Sequence, residues 1–344
     1  MSSDNELPGL DLDALLPYLH DRRPGLFGER VRAELIAGGR SNLTYSLVDG
    51  DRRWVLRRPP LGHVLATAHD MGREFRVISA LAPTAVPVPH AEILCEDTQV
   101  LGAPFYLMEQ VPGVAMRSQA DAAWLSDEQA TAVSTGLIDV LADLHAVDYT
   151  AIGLGEFGRP QGYLERQVSR WGKQLEASRS REIPGIDELA NWLAGHVPHS
   201  ERGTIVHGDY RLDNVLIDEG SLRVSAVLDW EMATLGDPLA DLGVMYVYWN
   251  GVGESDPSSD PITGGLTQRS GFPRFAELLE RYAQRSGADV GAIDFYVALG
   301  YFKLAVVLEG IYYRFSHGGT VGEGFDKLGD VVAPLVEAGL AARK

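Results

Sequence analysis

The chain has 344 residues, 45% hydrophobic and 23% charged, enough to bury a sizeable core in one two-lobed domain or two ordinary ones. A net charge of −18 with no block of Lys and Arg argues against a nucleic-acid surface, and no run approaches the roughly 18 uninterrupted apolar residues of a membrane span. The single cysteine, Cys95, excludes an internal disulfide, and the acidic N-terminus, Met1-Ser2-Ser3-Asp4-Asn5-Glu6, lacks the basic and apolar regions of a signal peptide, so a cytoplasmic protein is expected.

Leu10 to Leu19 alternates apolar and polar residues at helical spacing and is stopped by Pro24-Gly25, which gives residues 1–29 as a helical N-terminal extension. Val31 to Ile36, Thr44 to Val48 and Trp54 to Arg57 read as strands, the last two joined by Asp49-Gly50-Asp51, a hairpin signal. Asp70 to Leu81 reads as a helix, and Ala91 to Cys95 and Phe105 to Gln110 as further strands. Residues 30–112 therefore form a small antiparallel β lobe with one helix, ending near Pro112-Gly113.

Beyond that point helical patterns dominate. Ser126 followed by Gln129 is a capping-box signature that opens a helix to about Val147. Further helices are expected at 161–178, 186–195, 239–249, 275–286, 292–315 and 325–342, and Gly251 to Gly271, rich in Gly, Ser, Asp and Pro, reads as a mobile loop. Residues 113–344 form a larger, mainly helical lobe. The fold class is α+β, with two lobes arranged as in protein kinases.

One segment carries the chemistry. His207-Gly208-Asp209-Tyr210-Arg211-Leu212-Asp213-Asn214 is followed by the apolar run Val215-Leu216-Ile217, a turn at Asp218-Glu219-Gly220, a second strand ending at Leu228, and then Asp229-Trp230-Glu231. Phosphoryl transfer needs a carboxylate to orient and deprotonate the accepting hydroxyl, and oxygen ligands to hold Mg²⁺ against the phosphates. Asp209, Asn214 and Asp229 have that composition and the spacing of a kinase catalytic loop. The hairpin between Asn214 and Asp229 is expected to return both to one end of the sheet, as a shared metal site requires. After Asp229 the chain reads Trp-Glu instead of Phe-Gly, and Asp237-Pro238 follows too soon for a long activation segment, which argues against a protein kinase.

The first lobe supplies a nucleotide side. Gly38-Gly39-Arg40-Ser41-Asn42 lies between two strands, where glycines let the backbone approach phosphate and Ser41 and Asn42 add donors. Arg57 ends a strand where a kinase places its phosphate-binding lysine, a replacement that changes reach and hydration. Glu74 on the first-lobe helix is its natural ion-pair partner. At the lobe junction, Met108, Glu109 and Val111 offer backbone groups to an adenine edge, with Leu107 and Met108 lining an apolar slot.

In this order these motifs resemble the aminoglycoside phosphotransferase and choline-kinase-like superfamily, over about residues 30–315. The resemblance implies that Asp209 is the catalytic aspartate, that Asn214 and Asp229 are Mg²⁺ ligands, that Glu74 is the ion-pair glutamate, and that ATP or GTP is the donor. Leu144-His145 and Asp237 to Leu242 match recurrent segments, from which we expect His145 to be a satisfied interior histidine and Asp241 to anchor the catalytic loop. Ser41-Asn42-Leu43-Thr44-Tyr45 and Val55-Leu56-Arg57-Arg58-Pro59-Pro60 are most similar to the branch of kinase domains fused to some acyl-CoA dehydrogenases. With no dehydrogenase portion in these 344 residues, a stand-alone member is expected.

That branch implies a small-molecule O-phosphotransferase acting on a hydroxy acid or hydroxyacyl thioester. The alternatives are an aminoglycoside or amino-alcohol kinase, and a nucleotide-binding pseudokinase serving as an interaction module. Residues 113–344 carry 19 basic and 33 acidic side chains, an excess read mainly as a solubilising surface. A polycationic antibiotic needs several carboxylates, yet 292–315 offers only Asp294 and Glu309. The same stretch places Lys303 and Arg314 about three helical turns apart among aromatic residues. Tyr246, Trp249, Lys303, Tyr312 and Arg314 are therefore the candidate acceptor contacts.

Overall fold

Short segments of alternating hydrophobicity, separated by tight turns, pair into the sheet that organises the first of two units. In this computed structural model the described residues are 7–28, 30–36, 42–61, 70–200, 202–252, 260, 262–317 and 328–343. The first unit comprises the chain up to Pro112 together with Ala226–Glu231. Its strands are β1 (Arg32–Leu35), β2 (Leu43–Asp49), β3 (Arg52–Arg58), β4 (Ala91–Cys95) and β5 (Phe105–Glu109), in the antiparallel order β1-β2-β3-β5-β4.

Because side chains alternate along a strand, Tyr45, Leu47, Trp54, Leu56, Phe105 and Leu107 gather into one buried cluster. Leu15 and Leu19 of helix α1 (Leu12–Arg22) complete that cluster, so α1 is part of the first unit's core and not an appended extension. Helix α2 (Met71–Leu81), capped by the Asp70 side chain on the Arg73 N–H, packs against β4 and β5. A third, one-turn helix α3 (Thr98–Leu101) also lies here, where the sequence pattern gives one helix.

The second unit comprises Gly113–Ser225 and Met232–Lys344. It holds α4 (Asp127–Ala146), α5 (Tyr163–Ser178), α6 (Ile186–Gly195), strands β6 (Thr204–Val206) and β7 (Val215–Ile217), β9 (Thr234–Gly236), α7 (Leu239–Asn250), α8 (Phe275–Ser286), α9 (Ile293–Ser316) and α10 (Leu328–Ala341); β8 (Val224–Val227) runs across the boundary. The Ser126–Gln129 capping box that opens α4 is formed in both directions. Strands β6 and β9 pair antiparallel and were not visible in the sequence pattern. Asp209 and Asn214 lie in the loop between β6 and β7.

Helix α9 is the buried axle of this unit. It is long and apolar enough to cross a membrane by composition alone, but most of it is buried against α5, α7 and α10. Its approach to α7 is set by two glycines. A Cβ at Gly243 would fall 2.1 Å from the Tyr296 carbonyl oxygen, and one at Gly300 would fall 2.6 Å from the Gly243 oxygen. The helix axes meet where neither has a side chain.

The stretch Gly251 to Gly271, expected to be a mobile loop, has internal structure in its described part. Asp260 is buried and accepts hydrogen bonds from Val252 N at 3.1 Å, Ile262 N at 2.8 Å and Thr263 Oγ1 at 2.9 Å. A 3₁₀ turn follows at Leu266–Gln268, and Thr267 Oγ1 donates to the Trp249 carbonyl at the end of α7. Carboxylate-to-backbone bonds of this kind fold a polar segment that has no apolar periodicity to read.

A methyl group at the glycine crossing has nowhere to go. Gly300→Ala is expected to lower stability by about 1–3 kcal/mol through overpacking. A urea titration should show the midpoint falling with an unchanged slope, and a midpoint equal to wild type would remove the crossing from its assigned importance.

Candidate active site

Strand β6 delivers His207, which is fully buried, and the chain then turns sharply at Gly208. Gly208 has φ +86°, and a Cβ there would sit 2.9 Å from both Cβ and O of Met232, so glycine is required twice over. The turn is anchored from α7. Asp241, wholly buried, accepts from His207 N at 2.8 Å and from Gly208 N at 2.7 Å. His145 Nε2 lies 3.1 Å from the same carboxylate, and His145 Nδ1 lies 2.8 Å from the Tyr282 hydroxyl. Burial works to raise the Asp241 pKa, but the hydrogen bond and charge of His145, the charge of His207 and the Gly208 N–H outweigh it and lower it. Asp241 thus anchors the loop and His145 is a satisfied interior histidine, as expected.

Asp209 follows directly. Its Oδ2 accepts from Asn214 Nδ2 at 2.9 Å and from Arg211 Nε at 3.3 Å, and its N–H donates to His207 Nδ1 at 3.2 Å. Asn214 Nδ2 also donates to the Asp209 carbonyl at 2.8 Å, which leaves the amide oxygen as the end not engaged with Asp209. Arg211 links this carboxylate to Asp213, 2.9 Å away, and lies over the Tyr248 ring with its guanidinium carbon 4.4 Å from the centroid. Burial opposes the charge on Arg211, yet Tyr248, Asp209 and Asp213 raise its pKa.

Within the first unit a second cluster surrounds Arg57. Its Nε lies 3.2 Å from Glu74 Oε2, an ion pair whose angle falls short of a hydrogen bond, and its Nη2 donates to Asp229 Oδ1. Glu231 Oε2 is 3.7 Å from the same Nη2. Tyr106 donates its hydroxyl to Glu74 Oε2 at 3.0 Å, and Asn42 Nδ2 reaches Glu231 at 3.2 Å and Glu74 at 3.5 Å. Burial raises the Glu74 pKa against the pull of Arg57. Burial also opposes the Arg57 charge, but Tyr106, Asp229 and Glu74 outweigh it. Asp229 has φ +64°, a left-handed conformation that Asp adopts more readily than most residues. The sequence boundary at 112/113 puts Asp229 in the second lobe; by its contacts it groups with the first unit.

The remaining nucleotide candidates divide. Ser41 lies outside the described residues. Met108 is buried in β5 opposite Val55, whereas Glu109 is exposed and Val111 half-buried. The Glu109 N–H donates to His90 O at 2.8 Å and the Gln110 N–H to Arg53 O at 3.2 Å. These donors are occupied by strand pairing, so the adenine-edge reading falls on the Val111 peptide and the carbonyls.

A shallow, open cleft borders the Asp209 loop, walled by Arg211, Leu212, Asp213, Met245, Tyr248, Trp249, Ile262, Thr263, Leu266 and Thr267. Of the five candidate acceptor residues only Trp249 is among these. Tyr246 packs edge-on against Phe275 and Tyr301, and Tyr312 lies under Arg181 at 4.5 Å. Arg314 is exposed, and Lys303 Nζ donates to the Gly208 carbonyl. Lys303 and Arg314 do share a face of α9, but eleven residues of helix separate them by about 16 Å, too far for one small anion. Arg211 and Tyr248 form the wall instead. Sequence periodicity gave no sign of Arg211, although its position two residues after Asp209 did.

The profile of the phosphotransferase enzyme family (APH) matches residues 32–296. The chain belongs to the phosphotransferase enzyme family. Among curated relatives, acyl-CoA dehydrogenase family member 11 of Rattus norvegicus is 36% identical over 342 residues, covering 96% of this chain and 43% of that protein. The chain thus spans less than half the length of that relative. A solved structure from Ralstonia eutropha JMP134, provisionally named an aminoglycoside phosphotransferase, is 36% identical with a TM-score of 0.83, covering 96% of this chain and 98% of that one. The GDP and kanamycin complex of the aminoglycoside phosphotransferase APH(2″)-IIIa shares the fold at 16% identity and TM-score 0.63, covering 96% and 98%. The two-lobed kinase-like α+β class read from the sequence is this family's fold.

Removing the Asp241 carboxylate leaves two backbone N–H groups and His145 without their partner. Asp241→Ala is expected to cost about 3–5 kcal/mol, as when one member of a buried pair is deleted. Because the folded pKa is depressed, that stability is present above the ordinary aspartate value of 3.8 and is lost as pH falls through the lower folded value. Urea titrations of both proteins across the acid range should show the gap closing there; a gap independent of pH would contradict the assignment.

Proposed function

We propose that this phosphotransferase moves the γ-phosphoryl group of ATP or GTP onto the hydroxyl of a small acceptor, a hydroxy acid or hydroxyacyl thioester. The observation that carries the reading is the Asp209 carboxylate, held by Asn214 and by Arg211, the residue that also walls the cleft. An acceptor hydroxyl entering from that cleft meets a carboxylate oriented to take its proton while the oxygen–phosphorus bond forms and the bond to the leaving nucleotide diphosphate breaks. Arg57, oriented by Glu74, offers a guanidinium to the phosphate charge.

Asn214 and Asp229 are each a hard oxygen donor of the kind Mg²⁺ takes, and the hydrogen bonds of the Asn214 amide nitrogen turn its oxygen away from Asp209. Mg²⁺ held by these residues would offset the negative charge of the phosphates. Nucleotide use is supported by a family member of the same fold crystallised with GDP.

Two observations favour a partly apolar acceptor over a polycation. Among the described residues the cleft's single carboxylate, Asp213, is already paired with Arg211, and five of the ten wall residues are apolar. A relative named as an acyl-CoA dehydrogenase family member fits acyl chemistry. Screening hydroxy acids, hydroxyacyl-CoAs, amino alcohols and aminoglycosides for ADP or GDP release tests the class directly, and efficient turnover of an aminoglycoside alone would overturn it.

Asp209→Asn keeps the shape and removes the base. It is expected to lower kcat by about 10²–10⁴-fold with nucleotide KM little changed; near wild-type turnover would take Asp209 out of the mechanism. Ile262→Trp should fill the cleft and raise acceptor KM by about tenfold or more while leaving nucleotide KM alone, since it costs apolar contact and space only on the acceptor side. Steady-state kinetics in both substrates would show whether the two constants separate in this way.

A further inference from the structure

Lys303 sits in the middle of α9, a long helix with most of its residues buried, and is itself half-buried. Burying a lysine is costly unless the charge is matched. The hydrogen-bond partner here is no carboxylate but the carbonyl oxygen of Gly208. That carbonyl belongs to the peptide unit whose N–H is Asp209's own, and this N–H donates to His207 Nδ1 at 3.2 Å. The peptide plane preceding Asp209 is therefore gripped at both ends, by a cation on its oxygen and by an imidazole on its nitrogen.

Other elements close the site around the ammonium. Trp171 of α5 presents its ring 5.7 Å from Nζ. The charged groups facing it are Asp209 and Arg211 of the loop, Asp241 of α7 and Arg170 of α5. Burial lowers the Lys303 pKa and the two carboxylates pull against it, so the fold holds this charge at a cost and, among the described residues, with no salt bridge in return. Gly300, one turn earlier, is where α9 touches α7, and Asp241 lies just before that contact on α7. One helix crossing brings both loop anchors into place.

We propose that Lys303 is a positioning residue for Asp209, fixing through the Gly208 carbonyl the peptide plane from which the catalytic carboxylate projects. The proposal rests on the reading of Asp209 as the base. It assigns Lys303 to the phosphoryl-transfer step itself and not to recognition of an anionic acceptor.

Hydrolysis of MgATP and MgGTP, with water as the acceptor, separates these roles because no acceptor binding is involved. In the full chain, Lys303→Met is expected to lower kcat for hydrolysis by about 10–100-fold, the scale of loss when a reacting group is misplaced. Nucleotide KM should stay within about twofold, and Lys303→Arg, which keeps a cationic donor, should recover most of the loss. Wild-type kcat in Lys303→Met, beside an inactive Asp209→Asn, would overturn this inference and leave the proposed function standing. So would equal losses in both Lys303 variants with a raised nucleotide KM, the signature of a merely structural defect. Wild-type turnover in Asp209→Asn would bring down the functional reading and this inference with it.

Discussion

A carboxylate with no access to water, Asp241, holds the backbone of the loop from His207 to Asp209. Its two oxygens accept from the consecutive N–H groups of His207 and Gly208, and His145 meets one of them. An unpaired buried carboxylate is among the most expensive features a fold can contain. Here every partner it has is in the same unit, so the penalty is recovered only if the loop takes this one path. Gly208's left-handed turn and Asp209's orientation follow from that constraint. The closeness of α7 and α9 at two glycines brings Asp241 and Lys303 to the same loop from different helices, both bonding to Gly208.

The Arg57 cluster answers a different requirement. One guanidinium lies among three carboxylates, those of Glu74, Asp229 and Glu231. A lysine has a single nitrogen to offer, whereas Arg57 directs Nε toward Glu74 and Nη2 toward Asp229 and Glu231. The planar fork lets one arginine reach carboxylates in different directions, which a lysine could not. It also leaves the cluster with excess negative charge, an arrangement that favours a cation among the carboxylates.

Much of this was legible in the sequence, for identifiable reasons. Alternation and turn chemistry gave β2 to β5, and helical periodicity with a capping box gave α4 through α9, because those signals are local. Strands β6 and β9 escaped because three-residue strands paired across a gap of nearly 30 residues have no local pattern. Asp209, Asn214, Asp229 and Glu74 could be nominated from motif spacing. Arg211 and Tyr248 could not be placed at the cleft, since a helix face does not say what it meets. Of the aromatic residues of 292–315, Tyr301 packs against Tyr246 of α7 and Tyr312 lies under Arg181, so neither walls the cleft.

Two ionic residues on α9 show how far periodicity carries and where it stops. Both Lys303 and Glu309 interrupt an otherwise apolar helix, and sequence alone treats each as a surface charge or a ligand contact. In the fold Glu309 is fully buried and pairs with Arg181 at 2.7 Å, while Arg181 also donates to Gly329 O at 2.6 Å in the first turn of α10. That pair ties the α5–α6 connection and α10 to the central helix. Lys303, two turns earlier, has among the described residues only a peptide carbonyl for a hydrogen-bond acceptor. A charge matched to a charge stabilises packing, and its deletion reads out as unfolding. A charge held against a dipole contributes less to packing than it costs to bury, and the role proposed for Lys303 toward Asp209 would account for that cost.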